Sequence, residues 1–173
     1  MLIKELKNDI VLQPYICEEC EENGVLASIS TEIDKENIVI ISVDKYYNSF
    51  NEKTRPASPD CLIVQFCHTN TYHVYVVELK NFKKESDLKD EKEQIHKKFS
   101  TCLQDFMSNQ FRTYFYNLDY ILKIDLILIA GHIVDKKIKN FKLDFLLGLN
   151  PVSFGNKKYL IKGVNPNPLI SRC

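Results

Sequence analysis

The chain has 173 residues and a mass of 20.2 kDa, which fits one domain of ordinary size. Hydrophobic residues make up 45% of the sequence and charged residues 27%, values that exclude a disordered tail, a collagen-like chain and a coiled coil. The longest apolar run, at 124–130, is too short to span a bilayer, and the first residues do not form the apolar region of a signal peptide. We therefore expect a cytoplasmic protein without membrane contact.

The charge is distributed unevenly, although the formal net charge is zero. Residues 1–80 contain 7 basic and 13 acidic side chains and residues 81–173 contain 16 and 10, so the two parts carry −6 and +6. Such a separation suits an enzyme that holds a metal ion at one place and a polyanion at another. A chance asymmetry of a solvated surface would give the same numbers.

The first third of the chain is predicted to contain a helix and then strands. Residues 1–24 are expected to be helical up to the Asn-Gly pair at their end, and a further element follows at 25–33. The β-branched run within 38–47 predicts a strand, and residues 48–59 form a polar loop.

The middle of the chain predicts a β-hairpin, a long helix and a buried strand. The hairpin strands are expected at 60–67 and 72–81, joined by a turn at His68–Thr71. From Ser86 to about Met107, apolar residues recur with helical spacing, and Ser86 occupies the N-cap position. Residues 121–132 contain an apolar run typical of a central strand covered on both faces.

The end of the chain is basic and rich in turns, with a short helix expected at 141–149 and a strand at 158–164. The order of helix, three strands, helix and strand predicts an α/β fold whose mixed central sheet is flanked by helices. We expect a single domain over 1–173, with its core at 10–132 and a basic C-terminal extension at 133–173.

The six cysteines invite a disulfide or a zinc interpretation. Because no secretory signal is evident, we expect free and mostly buried thiols, with Cys61 and Cys102 filling the core. Cys17 and Cys20 have the spacing of half a zinc site, but a second pair with ligand spacing is missing. A zinc-dependent binding protein built on this pair is a weaker alternative.

The residues with the clearest chemical meaning lie at one end of the predicted hairpin. Asp60 opens the first strand, and Glu78 and Lys80 close the second strand on one face, because side chains along a strand alternate. If the strands pair about the turn, the three side chains meet at one sheet edge. Two carboxylates can bind Mg²⁺, and a nearby lysine can orient water or stabilise developing charge. A salt bridge at a solvated strand end is the alternative interpretation.

Pro59-Asp60 and Glu78-Leu79-Lys80, together with the element order, resemble the PD-(D/E)xK nuclease superfamily. That superfamily includes type II restriction endonucleases and archaeal Holliday-junction resolvases. The resemblance implies a restriction endonuclease-like αβββαβ core. It also implies that Asp60 and Glu78 ligate Mg²⁺, for which Mn²⁺ can substitute, and that Lys80 assists the attacking water.

The resemblance leaves other site residues open. Many members add a glutamate from the first helix, and of the four glutamates between positions 18 and 22, Glu19 and Glu22 could share a helical face. Some members place a glutamine on the helix after the motif, which would be Gln94, although a surface glutamine is the commoner case. His73 is expected on the strand face opposite Glu78, in a structural or solvent-facing role.

The candidate DNA contacts are basic residues outside the motif. Late lysine clusters could neutralise phosphates without reading sequence, and an arginine in the loop before Asp60 could approach a phosphate or a guanine edge. Lysine runs are as often plain solvated surface. The candidates are Arg55, Lys136, Lys137, Lys139, Lys157 and Lys158.

We therefore expect a Mg²⁺-dependent endonuclease that hydrolyses DNA phosphodiester bonds, most simply a small type II restriction-type enzyme. Such enzymes commonly form homodimers, and the aromatic stretch 111–120 could supply a dimer face or belong to the core. A structure-selective nuclease such as a Holliday-junction resolvase is the close alternative. A non-catalytic nucleic-acid or protein-binding module with the same fold, in which the three residues form a salt-bridge cluster, is the other.

Overall fold

The computed structural model describes residues 1–51, 53, 55–81, 91–131, 149–164 and 168–173. These residues form a mixed α/β fold around a mixed central sheet, as the element order predicts. The helices are α1 (Leu2–Asn8), α2 (Val43–Asn48), α3 (Lys92–Thr101) and α4 (Arg112–Phe115), and a π-helical segment (Cys102–Gln110) continues α3. The strands are β1 (Ile16–Cys17), β2 (Cys20–Glu22), β3 (Val25–Ile29), β4 (Ile38–Ser42), β5 (Cys61–His68), β6 (Thr71–Asn81), β7 (Ile121–Gly131), β8 (Val152–Phe154), β9 (Lys157–Tyr159), β10 (Ile161–Val164) and β11 (Leu169–Ile170).

The central sheet is built around the hairpin of β5 and β6. Its strand order is β1-β4-β5-β6-β7-β10, with antiparallel pairing from β1 to β6 and parallel pairing from β6 to β10. The hairpin turns at Asn70, whose φ is 58°, a left-handed conformation that asparagine tolerates well. Because the parallel neighbours β6 and β7 need a crossover, α3, the π-helical segment and α4 lie between them in the chain.

One face of the central sheet packs against the helices. Ile95, Phe99 and Cys102 follow helical spacing and are fully buried there, together with side chains of α1 and α2. Phe111 and Phe115, from the stretch for which the sequence allows a dimer face or a core position, belong to this core. No helix in the described ranges is long and apolar enough to cross a membrane.

The other face is covered by a small sheet, whereas the sequence predicts a central sheet flanked by helices. Its strand order is β11-β3-β2, and it buries Val25, Ala27 and Ile170 against Ile63 and Val77 of the central sheet. Both β10, which extends the central sheet beside β7, and β11 come from the predicted C-terminal extension. The end of the chain is therefore part of the folded unit.

The predicted helix over residues 1–24 is wrong beyond Asn8, except for a short 3₁₀ helix at Gln13–Tyr15. Asn23 and Gly24, interpreted as a helix end, have positive φ values of 50° and 77° and form the two-residue turn between β2 and β3. Asn-Gly is favoured at such turns because its conformation matches the twist of the flanking strands. The same dipeptide thus signals a hairpin here.

The remaining elements differ from prediction mainly at their ends. The predicted hairpin strands and the apolar strand after the helix are confirmed as β5, β6 and β7. The strand expected over 38–47 ends at Ser42, where α2 begins, and the strand expected over 158–164 divides into β9 and β10. Ser86, His132 and most of the short helix predicted at 141–149 lie outside the described residues.

The prediction of free thiols is wrong for four cysteines. Disulfides join Cys20 of β2 to Cys61 at the start of β5, and Cys67 at the end of β5 to Cys173. Tertiary packing brings their Cα atoms to 6.0 and 5.3 Å, within the range that a disulfide spans. Because Cys20 is bonded, the proposed zinc pair with Cys17 does not exist. Cys102 is a free, buried thiol, as predicted.

Candidate active site

The structure brings Asp60, Glu78 and Lys80 together at one end of the β5–β6 hairpin. Cys61 pairs with Val77, so Asp60 lies beside Glu78 just before β5 begins. The backbone N–H of Leu79 donates a hydrogen bond to Asp60 Oδ2 at 2.6 Å. Lys80 Nζ lies 3.4 Å from Glu78 Oε1. The arrangement expected from strand alternation and the short turn is present.

Glu78 is the most unusual residue of this group because its side chain is fully buried. Its Oε1 contacts two ammonium groups, whereas Oε2 is buried without a hydrogen-bond partner among the described residues. Burial raises the pKa of Glu78, and the neighbouring Lys98 and Lys80 only partly offset this. A buried carboxylate oxygen without a partner is costly and needs an explanation, such as an ion that the site binds.

Lys98 is the site residue that sequence reasoning missed. It lies on α3, and its Nζ donates a hydrogen bond to Glu78 Oε1 at 2.7 Å. The candidate Gln94, one turn earlier, is exposed. A signal was present, since Lys98 falls three residues after Ile95 and four before Cys102, inside the apolar stripe of the helix. A charged residue in such a stripe indicates a buried partner.

Lys80 is held by two carboxylates. Besides its contact with Glu78, its Nζ lies 2.5 Å from Oε2 of Glu91, which directly precedes α3. Burial lowers the pKa of Lys80, but the Glu91 and Glu78 carboxylates outweigh this effect and raise the pKa above its usual value. Lys80 is therefore protonated at neutral pH, so it can donate hydrogen bonds and stabilise negative charge but does not serve as a base.

Asp60 is destabilised as an anion. Burial raises its pKa, the nearby charge of Glu78 raises it further, and the Leu79 N–H lowers it only in part. Because the charges of these two carboxylates interact, one ionised group disfavours ionisation of the other. At neutral pH the raised pKa values favour a proton on this pair.

The two glutamates proposed from the first helix lie elsewhere, because that segment is not helical. Glu19 is in the connection between β1 and β2, and Glu22 is at the end of β2. The carboxyl of Glu22 lies near Asp60 and contributes to the raised pKa of that residue. Both glutamates line a cavity of about 130 Å³ beside Asp60. The structure therefore brings Glu22 to the site. The prediction that it would come from a helix is wrong, because Glu22 lies at the end of β2.

The donor set fits Mg²⁺ through its chemistry. Within the described part of the chain, no group of three or more His, Cys, Asp or Glu side chains is arranged as a metal site. Mg²⁺, however, is usually held by one or two carboxylates and keeps several waters. Asp60 and Glu78 supply two hard oxygen ligands, and the unpartnered Oε2 of Glu78 is free for this role.

The other candidate residues lie apart from this group. His73 is on the small-sheet face, with Nε2 3.0 Å from Asp125 Oδ2 and its ring stacked on Tyr75. Among the candidate DNA contacts, three are exposed at the surface and the rest lie outside the described residues. The exposed residues are Arg55, Lys157 and Lys158, and those outside are Lys136, Lys137 and Lys139.

Comparisons with protein-family models, curated proteins and solved structures find no match for this chain. The relation to the PD-(D/E)xK superfamily therefore remains a proposal. Its support is the short motif, the element order and the geometry of the site.

Proposed function

We propose that the protein is a Mg²⁺-dependent nuclease that hydrolyses phosphodiester bonds of DNA, with Mn²⁺ able to replace Mg²⁺. One observation carries this proposal: Glu78 is fully buried beside Asp60, with Oε1 bound by two lysines and Oε2 without a described partner. A carboxylate pair of this kind is stabilised when a hard cation binds it.

The charge of the connected group supports a divalent ion. Four carboxylates and two ammonium groups interact electrostatically, and their formal charges add to −2 when every carboxylate is ionised. The members are Glu22, Asp60, Glu78, Glu91, Lys80 and Lys98. One Mg²⁺ ion would neutralise this charge in place of the protons that the raised pKa values of Asp60 and Glu78 favour, which makes binding favourable in a partly buried place.

The topology supports a nuclease with a restriction endonuclease-like core. The antiparallel strands β4, β5 and β6 are followed by a helical crossover and the parallel strand β7. With α1 before them, these elements are compatible with the αβββαβ order that the resemblance implies, although β1–β3 lie between α1 and β4 and α2 lies between β4 and β5. The motif residues lie at the end of β6, beside the start of α3.

The residues have separate chemical roles in this proposal. Asp60 and Glu78 would hold Mg²⁺, which lowers the pKa of bound water and neutralises charge on the phosphoryl group. Lys80 keeps its proton and donates hydrogen bonds, so its ammonium group stabilises negative charge that develops in the reaction. Lys98 and Lys80 hold Oε1 of Glu78, which leaves Oε2 available.

Cleavage of defined DNA substrates tests the proposal. Supercoiled plasmid, linear duplex and a four-way junction are incubated with Mg²⁺, Mn²⁺, Ca²⁺ or chelator, and the product ends are sequenced. We expect Mg²⁺-dependent cleavage that falls by about 10²–10³-fold in Asp60→Asn and in Glu78→Gln. Asp125→Asn is the matched control, since it removes a paired carboxylate on the other face of the sheet. This variant should retain Mg²⁺-dependent cleavage. Cleavage retained in the first two variants contradicts the site.

The product pattern also separates the kinds of nuclease. Defined ends on duplex DNA indicate a restriction-type enzyme, which we propose as a homodimer that cuts both strands. Preference for the junction indicates a resolvase-type enzyme. Scattered ends indicate a nuclease without sequence preference.

A non-catalytic binding module is the second candidate, and one observation favours it. Lys80 is held by Glu78 and Glu91 together, so the group neutralises part of its own charge. In that case no metal-dependent cleavage occurs in the wild-type protein on any substrate.

A further inference from the structure

The two lysines of the candidate active site differ in their partners, although their exposure is nearly equal. The side chains of Lys80 and Lys98 are 22% and 21% exposed. Lys80 contacts the carboxylates of both Glu78 and Glu91. Lys98 contacts Glu78 at 2.7 Å and has no second hydrogen-bond acceptor within the described ranges.

An ammonium group has three N–H donors. Lys98 uses one of them on Glu78, and no residue in the described ranges accepts the other two, which can serve a ligand that enters from the partly exposed side. Lys80 divides its donors between two carboxylates, which leaves it one further donor and places two negative charges beside its ammonium group. Charge-assisted hydrogen bonds to phosphate oxygens are short and strong, and an ammonium group with unused donors is suited to form them.

We propose that Lys98 is a catalytic residue, which binds a non-bridging oxygen of the scissile phosphodiester while it remains hydrogen-bonded to Glu78. This inference rests on the proposed nuclease function and names the ammonium group that touches the substrate. Lys98 then stabilises charge on the phosphoryl oxygens. Lys80, held by Glu91, acts mainly on the Glu78 carboxylate.

Substitution of Lys98 tests this contact against a matched neighbour. Lys98→Met and Lys97→Met remove the same charge from adjacent positions of α3, and Lys97 is exposed. We expect kcat for cleavage with Mg²⁺ to fall by about 10²–10³-fold in Lys98→Met and to stay near wild type in Lys97→Met. Lys98→Arg, which keeps the charge and N–H donors, should recover part of the loss.

A binding measurement separates contact with phosphate from a structural effect. Affinity for duplex DNA is measured with Ca²⁺ in place of Mg²⁺ at several salt concentrations. Loss of one phosphate contact should reduce the log–log salt slope by about 0.9 in Lys98→Met. Thermal unfolding is measured in parallel; if Lys98→Met is unstable, Lys98→Gln replaces it, and the same reduced slope is expected.

The outcomes distinguish the two proposals. If the wild-type protein shows no metal-dependent cleavage, the proposed function and the role of Lys98 both fail. If the wild-type protein cleaves DNA and a folded Lys98 variant keeps the kcat of Lys97→Met or an unchanged salt slope, only the role of Lys98 is overturned.

Discussion

Two polar clusters lie on strand β6, one near its start and one at its end. Near the start, His73 bonds Asp125 at 3.0 Å and stacks on Tyr75, while Lys162 Nζ bonds the other oxygen of Asp125. At the end, Glu78 is buried with one oxygen unpartnered among the described residues. Both oxygens of Asp125 therefore have a partner, whereas Glu78 has partners on Oε1 and none among the described residues on Oε2.

The pKa values of the carboxyl groups in the two clusters are shifted in opposite directions. Burial raises the pKa of Asp125, but hydrogen bonds from Lys162 and His73 outweigh burial and lower the pKa overall. Burial dominates for Asp60 and Glu78 and raises both pKa values. A quarter-exposed ion pair can stabilise the fold, whereas acids whose pKa values stay raised despite neighbouring cations are typical of functional sites.

Loss of the disulfides should give the largest change in stability. The two disulfides lie at opposite ends of β5, so their removal compares the stability contributed at each end. Cys20–Cys61 closes a separation of 41 residues beside Asp60, and Cys67–Cys173 closes one of 106 residues near Gln65. From the entropy of the unfolded loop, replacing each pair with serine should cost roughly 4 and 5 kcal/mol, respectively. Urea unfolding measures this, with Cys17→Ser as the free-thiol control. Equal stability of all three variants would contradict the pairing.

Metal binding should stabilise the fold through the cluster at the end of β6 only. The change in the free energy of unfolding should be smaller than the change from loss of a disulfide. At a Mg²⁺ or Mn²⁺ concentration about 100 times the dissociation constant, the free energy of unfolding should rise by about 2.7 kcal/mol. Glu78→Gln removes one of the two proposed ligands and should abolish this increase, whereas Asp125→Asn should retain it. Unfolding with metal and with chelator provides the measurement. An equal increase in both variants would show that the ion binds elsewhere.

The pH dependence of stability should have opposite signs for the two clusters. We expect this effect to be smaller than those of disulfide loss and metal binding. The raised pKa of Asp60 means that the folded state holds its proton more tightly, so with chelator this residue reduces stability as pH rises above about 4. The lowered pKa of Asp125 contributes stability that is present above about pH 4 and is lost as pH falls through its folded pKa.

Substitutions at these two acids check the sign. Asp60→Asn should flatten the decline of stability toward neutral pH, and Asp125→Asn should flatten the decline toward acid. Chemical unfolding over about pH 3 to 8 gives both slopes. Parallel changes in the two variants would mean that the clusters do not differ as described.

The core of the candidate site was predictable because its determinants are local. A short turn at Asn70 brings β5 and β6 together, and strand alternation places Glu78 and Lys80 on one face. An unpredicted β-bulge between Phe66 and His68 shifts the pairing by one residue and sets Asp60 beside Glu78. Glu91 and Lys98 were not predicted, since α3 reaches Glu78 only through packing against the sheet.

The N-terminal region shows where local reasoning was insufficient. The glutamates near Asn23 suit a helix by composition, but the Asn-Gly turn and the alternation of Val25 and Ala27 favour a hairpin. Glu22 reaches Asp60 because this hairpin covers the sheet and is bonded to it through Cys20. That contact depends on segments far apart in the chain.

The sequence by itself determined the central strands, the tight turn at Asn70 and the placement of two acids and a lysine at one strand end, because hydrophobic period and turn chemistry act over a few residues. Only the tertiary structure decided which cysteines pair, what covers the second face of the sheet, and that Lys98 and Glu91 complete the charged group. Those features depend on burial and on distances between separate segments, which no local pattern contains.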